Sequence, residues 1–366
     1  MILRLAALVC ASVMLIQADW TDKVTINGYF SFEYEDQVDG DETSQADKYG
    51  SFDSDIFNLV FNVQATDRLR LASDLTWEHG PQTETGKGNV GTEYAFAEYT
   101  FEPYLKVRTG KMFTPFGIYN ELHTAKNTTI IMKEPNPTNK IYFLSPDGSY
   151  EQTMLYPRWA NGIAVLGDFH MGEIPADYII QVANGEVQYP IEENEFDHDD
   201  NPYKGIAMRI RADITEDFQI GASLYHDKMN DYNFTTEDPM GIKELMTYGV
   251  QMIWYVTDAF RMEVEGVYGN LDVTGANEVS FNRFGLSILP SYMVTDRLTL
   301  YFLYTLGEPN DTLSQDRVVS YEPGINYELD HGLHLKAELY NVQSQVNTRM
   351  SGADYTEFRA AVAIGF

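Results

Sequence analysis

Cysteine is almost absent. Cys10 is the single thiol in 366 residues, so neither a disulfide framework nor a cysteine-ligated metal is available to hold the rest of the chain together. Also missing is any apolar run of roughly 20 residues, the length a helix needs to cross a bilayer. The longest candidate, Leu5 to Ile16, is shorter, follows Arg4 and runs into Gln17 and Ala18. That is the layout of a secretory leader with a small residue at the cut, so residues 1–18 are expected to be removed on export. Val9 ahead of Cys10 does not suit a lipoprotein cleavage site, which wants a small residue there.

Basic charge is scarce: 25 Lys and Arg stand against 55 Asp and Glu, a formal net charge of −30. Such a chain has no electrostatic footprint for nucleic acid. Its 25 Tyr and 20 Phe are too many for a disordered acidic protein. No helical periodicity and no linker appear after residue 18, which points to one large β architecture over residues 19–366.

What is present is a repeated turn. Thr66-Asp67-Arg68-Leu69, Thr215-Glu216-Asp217-Phe218, Thr257-Asp258-Ala259-Phe260 and Thr295-Asp296-Arg297-Leu298 each precede about ten residues of alternating polarity, and Asp330-His331-Gly332-Leu333 is a looser copy. Thr and Asp supply side-chain acceptors for turn amides. Two further tight links fall at Glu102-Pro103-Tyr104 and between Met171 and Pro175, making seven. Long polar connections separate them: Asp36 to Asp53, His79 to Gly91, Phe113 to Trp159, Gly185 to Tyr203, Lys228 to Glu244, and three shorter ones near Gly275, Pro309 and Gln345. Eight long loops and seven short turns require sixteen strands. The fold class expected is all-β, a transmembrane antiparallel β-barrel of the bacterial outer membrane, with long extracellular loops and short periplasmic turns.

Alternation assigns the faces. Val24, Ile26, Phe30, Phe32 and Tyr34 fall on one side of the first strand and Thr25, Asn27, Tyr29, Ser31 and Glu33 on the other. Phe260, Met262, Val264 and Tyr268 likewise oppose Arg261, Glu263 and Glu265, a charged row that could line water but not a dry core. Aromatics collect at strand ends, with Phe101, Trp254, Phe260, Tyr292, Tyr327 and Phe366 near the short turns and Tyr34, Trp77, Tyr248, Tyr268 and Tyr304 near the long loops. These are expected to form two interfacial girdles. Pro290 and Pro323 interrupt two strands, and each is expected to mark a bulge or register change, because a closed barrel has no free edge for a missing amide. The last strand ends on Phe366, which resembles the terminal aromatic signal read by the barrel assembly machinery.

No catalytic or metal constellation stands out, and no cofactor is expected. The histidines are scattered over loops, turns and both faces. The acidic run from Glu192 to Asp200 lacks the ordered spacing and turn glycine of a calcium loop, and reads as a solvated loop facing lipopolysaccharide. The wet face carries Arg70, Lys106, Arg108, Arg209, Arg211, Arg261, Arg283, Lys336 and Arg359 together with Glu33, Asp74, Glu98, Asp213, Glu263, Glu265, Glu338 and Glu357. Two arrangements remain open: opposed rows that set a transverse field across a channel, or neighbours that pair off along the wall.

The longest connection, residues 113–159, is rich in apolar groups, among them Ile130, Ile131, Met132, Tyr142, Phe143, Leu144 and Tyr156. A loop of this length has a function or a structure of its own. Its opening, Gly110-Lys111-Met112-Phe113-Thr114-Pro115-Phe116-Gly117-Ile118-Tyr119-Asn120, resembles the glycine-lysine, proline-phenylalanine-glycine stretch of sixteen-stranded porins related to the phosphate-selective porin family. The resemblance implies a homotrimer, and a third loop folded inward to narrow a pore. It makes Tyr119, Glu121, His123 and Lys126 the constriction, facing Lys106 and Arg108, and the inward arginines its lining. The function expected is passive diffusion of small hydrophilic solutes or ions, with no enzyme activity. A non-pore barrel, either a hydrolase or the scaffold of an electron conduit, is the alternative.

Overall fold

A computed structural model describes residues 23–40, 50–78, 90–122, 127–135, 141–144, 150–153, 155–185, 201–232, 239–275, 278–308, 310–312, 317–344 and 354–366. Residues 1–18 (expected to be a leader), the acidic run from Glu192 to Asp200, and His123 and Lys126 of the third loop lie outside the described residues. The strands are β1 (Val24–Gly40), β2 (Ser51–Gln64), β3 (Leu69–Glu78), β4 (Gly91–Glu102), β5 (Leu105–Phe113), β6 (Ile141–Leu144), β7 (Tyr150–Thr153), β8 (Trp159–Met171) and β9 (Ile174–Ala183). They continue as β10 (Gly205–Thr215), β11 (Phe218–Tyr232), β12 (Pro239–Tyr255), β13 (Phe260–Gly275), β14 (Val279–Thr295), β15 (Leu298–Glu308), β16 (Val318–Asp330), β17 (Leu333–Ser344) and β18 (Tyr355–Gly365). Sixteen close into one antiparallel barrel in chain order, with β5 meeting β8 across the third loop and β18 meeting β1. The remaining two, β6 and β7, form a hairpin within the sequence of that loop.

The repeated turns work through threonine. Thr66 Oγ1 accepts from the amides of Arg68 at 3.3 Å and Leu69 at 3.0 Å. Thr257 does the same for Ala259 and Phe260, and Thr295 for Arg297 and Leu298. One hydroxyl thus satisfies two amides where the ladder has ended. Two other tight turns use Gly172 and Gly332, at φ of 70° and 74°, where other residues would be strained.

Closure joins the chain ends. Gly28 N donates to Phe366 O at 2.8 Å, and Phe366 N donates to Gly28 O at 2.9 Å. The Phe366 ring occupies the space a side chain at Gly28 would fill, and lies 6.4 Å from Phe57.

The two strand prolines depart from expectation. Ile288 pairs with Tyr304 and Ser291 with Tyr301, so the register toward β15 is unchanged across Pro290. Tyr321 pairs with Asn341 and Gly324 with Glu338, with the same result at Pro323. Each proline keeps its pairing on the other side, to Met262 and to Phe302. A strand amide points toward one neighbour only, so a proline opens the ladder on one side without shifting it.

The outward face is apolar and banded. Val250 is 65% exposed. Leu224, Tyr248, Tyr268 and Phe284 form one row across β11 to β14; the next row up is His226, Met246, Asn270 and Asn282, and above that come Lys228, Glu244, Asp272 and Ser280. At the short-turn end Phe218 pairs with Trp254 and Phe260 with Tyr292. The span from Phe284 to Tyr292 is close to the ~9–11 residues of a tilted strand crossing a bilayer. Replacing Val250 by Arg, between the girdle residues Tyr248 and Trp254, should therefore cost ~2–4 kcal/mol in lipid, measured by reversible unfolding in bilayers. A cost within about 0.5 kcal/mol, normal for a water-exposed site, would contradict a lipid-facing band.

Candidate functional site

The third loop leaves β5 through two glycines whose positive φ would strain a larger residue. Gly110 has a φ of 132° and presses its Cα side against the Ala95 carbonyl, and Gly117 has a φ of 62° and lies against the Glu265 carboxylate of β13. The base of the loop is tied across itself. Thr114 N donates to Arg158 O at 3.0 Å, and Asn120 Nδ2 donates to the carbonyls of Thr114 at 2.8 Å and Arg158 at 3.1 Å.

From there the loop meets the inward face of β10 to β13. Gly117 N donates to Ser223 Oγ at 3.2 Å, Ile118 N to Glu265 Oε2 at 2.6 Å and Tyr119 Oη to Glu263 Oε2 at 3.0 Å. Arg209 on β10 holds Glu121 at 2.9 Å and reaches the Gly117 carbonyl at 3.5 Å. The loop then contacts the opposite wall. Lys336 Nζ of β17 donates to the carbonyls of Thr129 at 2.6 Å and Ile131 at 2.9 Å, Lys133 pairs with Glu35 of β1, and Asn127 packs on Gly365 of β18. On its return, Leu155 O accepts from Thr247 Oγ1 of β12 at 2.7 Å.

An apolar core fills the contact with β10 to β14. Phe116 stacks on Tyr156 at 4.0 Å, and both pack with Leu155, Tyr225, Leu245, Val267, Leu271 and Phe281. A second cluster joins Tyr119 and Ile131 to Leu289, Tyr301 and Leu303 on β14 and β15. These inward Leu, Val and Phe residues were not anticipated: alternation assigns mostly polar side chains to the inward face, with Ile56 and Val60 as the apolar exceptions. The signal available was a loop rich in apolar groups, which had to pack on something.

The inward charges lie mostly in pairs. Arg108 meets Glu98 at 2.7 Å and Arg70 meets the same carboxylate at 3.5 Å; both guanidiniums lie over the Phe96 ring, at 4.3 and 5.4 Å. Arg211 meets Asp177 at 3.1 Å, Arg261 meets Glu263 at 3.1 Å, and Arg359 meets Glu338 at 3.3 Å and also Glu357. Arg283 is buried on the inward face opposite Gly269. Lys106 pairs with Asp168 at 2.6 Å beside the Pro103 turn, at the barrel rim and away from the loop. Tyr119 is bonded to β13 and Glu121 to β10, while Glu121 also lies within reach of the Arg108 charge and shares a cavity with Asp74, Tyr94 and Phe113 of the β3 to β5 wall. Of the two arrangements left open, pairing along the wall describes most of these side chains.

Loop residues Tyr119 and Glu121 respond oppositely to their surroundings. Burial, and then the Glu263 carboxylate, push the Tyr119 phenol well above the usual range. Burial alone would raise Glu121, but the charge and hydrogen bond of Arg209, joined by the Arg211 and Arg108 charges, together hold the carboxyl below its ordinary value. Beside this contact lies a cavity of about 560 Å³ that runs from Tyr94 and Glu121 to Gly332 and Phe366 at the short-turn rim.

No family model matches the chain. It is 30% identical over 177 residues to an uncharacterized protein of Aquifex aeolicus, a match spanning 47% of this chain and 34% of that protein's length. Among solved structures, the barrel is similar to the outer-membrane channel DcaP of Acinetobacter baumannii (TM-score 0.63, 12% identity, covering 94% and 97% of the two chains). It is also similar to an anion-selective porin from Comamonas acidovorans (0.63, 11%, covering 94% and 99%) and to OmpT, an outer-membrane protein of Vibrio cholerae, in a trimer form (0.57, 13%, covering 94% and 99%).

Because the Glu121 carboxyl is depressed in the folded state, its contribution is present above the ordinary carboxylate range and is lost as pH falls through the lower folded value. Wild type should exceed Glu121→Gln in thermal stability by about 1 kcal/mol from pH 8 to pH 5, with the difference shrinking below roughly pH 4. A difference that grows on acidification would contradict the Arg209 contact. At these identities the solved structures establish a shared architecture, the sixteen-stranded barrel of outer-membrane porins and channels.

Proposed function

We propose that this protein is an outer-membrane porin, a passive channel for small hydrophilic solutes or ions. The observation that carries this reading is the cavity beside the third loop, which opens to the short-turn rim inside a closed barrel whose wall bears paired charges. A barrel packed solid by its loop would leave no such space. Here the loop's apolar core lies on β10 to β15, so the space is displaced toward β1 to β5.

On this reading the third loop is the constriction. Tyr119 and Glu121 act as its tethers, and Arg70 and Arg108 act as wall charges within a narrow polar passage. His123 and Lys126 belong to the same stretch of loop. Residues 1–18 direct export, Phe366 supplies the assembly signal, and the acidic outer loops face lipopolysaccharide. A homotrimer is the assembly proposed, in keeping with the trimer form described for the Vibrio cholerae barrel. Selectivity then arises from bore and charge, without turnover or cofactor.

Purified protein is expected to add ohmic steps to the conductance of a planar bilayer. Arg108→Gln, which leaves Glu98 facing only the more distant Arg70, should shift the reversal potential across a salt gradient toward cations. A bilayer that stays silent over varied salt and voltage would refute the pore.

A further inference from the structure

The 560 Å³ cavity has the size of a small-molecule site, within the ~300–1,000 Å³ range of such pockets. Its lining joins two kinds of surface. Tyr94 offers a flat apolar ring, flanked by Phe96 at 5.5 Å and by Phe113, which also lines the cavity, at 5.7 Å. Around it stand acceptors and donors: Asp74, ordered by Tyr29 Oη at 2.8 Å and Asn58 Nδ2 at 2.6 Å, with Glu121, Asn127 and Thr128 on the loop. Thr76 Oγ1 donates to Asn58 Oδ1 at 2.9 Å, so the Asp74 carboxylate sits at the end of a fixed chain of polar groups.

The bases near this cavity are already engaged: Arg70 and Arg108 by Glu98, and Arg209 by Glu121, while Asp74 and Glu93 add further carboxylates beside Tyr94. An anion would need bases that already hold carboxylates, and would have to displace those carboxylates to bind. A neutral solute meets no such opposition, because hydroxyls can hydrogen-bond the carboxylates, amide and threonine while a C–H face covers the tyrosine ring.

We propose that this cavity is a transit subsite for a neutral, ring-shaped polyhydroxylated solute, that is, a sugar of one or two rings. The proposal rests on the pore reading above and names the class of solute that the passage favours. Tyr94 supplies the stacking face, and Asp74 the principal acceptor.

The test uses the whole barrel in planar bilayers in potassium chloride, with maltose added in steps and each variant compared with its own sugar-free conductance. Wild type should show a saturable fall in conductance. Tyr94→Ala should raise the half-saturating concentration about fivefold or more, while Tyr94→Phe, which keeps the ring, should stay within about twofold of wild type. Asp74→Asn, of equal size, should also weaken the effect. Salt conductance with no saturable response to maltose, or an equal response in Tyr94→Ala and wild type, would overturn the subsite and leave the pore standing. No salt conductance would remove the pore reading and the subsite with it.

Discussion

Hydrocarbon offers no partner to a backbone amide, and that single constraint orders the whole structure. Every amide and carbonyl crossing the apolar band must be satisfied within the chain, which leaves the closed ladder as the solution for strands. The reciprocal bonds between Gly28 and Phe366 complete it. The ladder opens at Pro290 and Pro323 without slipping, so closure tolerates lost rungs more readily than a changed register. A slip of one residue would exchange the inward and outward faces of a strand, placing Glu263 and Glu265 against lipid and Tyr268 in the lumen.

Closure creates an interior, and the third loop divides it. On the β10 to β15 side, Phe116, Tyr119, Ile131, Leu155 and Tyr156 turn the lumen into an ordinary apolar core. On the other side, polar and aromatic side chains surround open space. Because the loop amides of Gly117 and Ile118 would otherwise be orphaned inside the barrel, Ser223 and Glu265 supply their acceptors. The loop is thus docked by the same rule that closes the barrel, which gives it a fixed position from which to set the bore.

Local features were legible in the sequence and long-range ones were not. The threonine turns fix strand count because Thr66, Thr257 and Thr295 cap amides two and three residues away. Alternation fixes faces because a strand's period is two. Glu98 and Arg108 stand opposite each other across the short Pro103 turn, so their pairing follows from the turn. Arg211 and Asp177 are joined across a long loop, and Arg209 meets Glu121 from 88 positions earlier in the chain. Nothing in residue spacing sets those distances. Leu245, Val267, Leu271 and Phe281 are buried inward, and they look misplaced on a wet face until the loop that covers them is in position.

The most direct test of a loop that crosses the lumen is a covalent one. Cys10 is the chain's single cysteine, so with Cys10 replaced by serine a pair introduced in the barrel can be followed cleanly. A Cβ placed on Gly365 lies 3.6 Å from that of Asn127, inside the ~3.5–4.5 Å range of disulfides. The double variant Asn127→Cys/Gly365→Cys, folded in membranes and mildly oxidised, should form the disulfide nearly completely and lose reactivity toward a soluble maleimide. Two thiols that both stay free and label readily in the folded barrel would show that the third loop does not reach the far wall, and the central claim would fail.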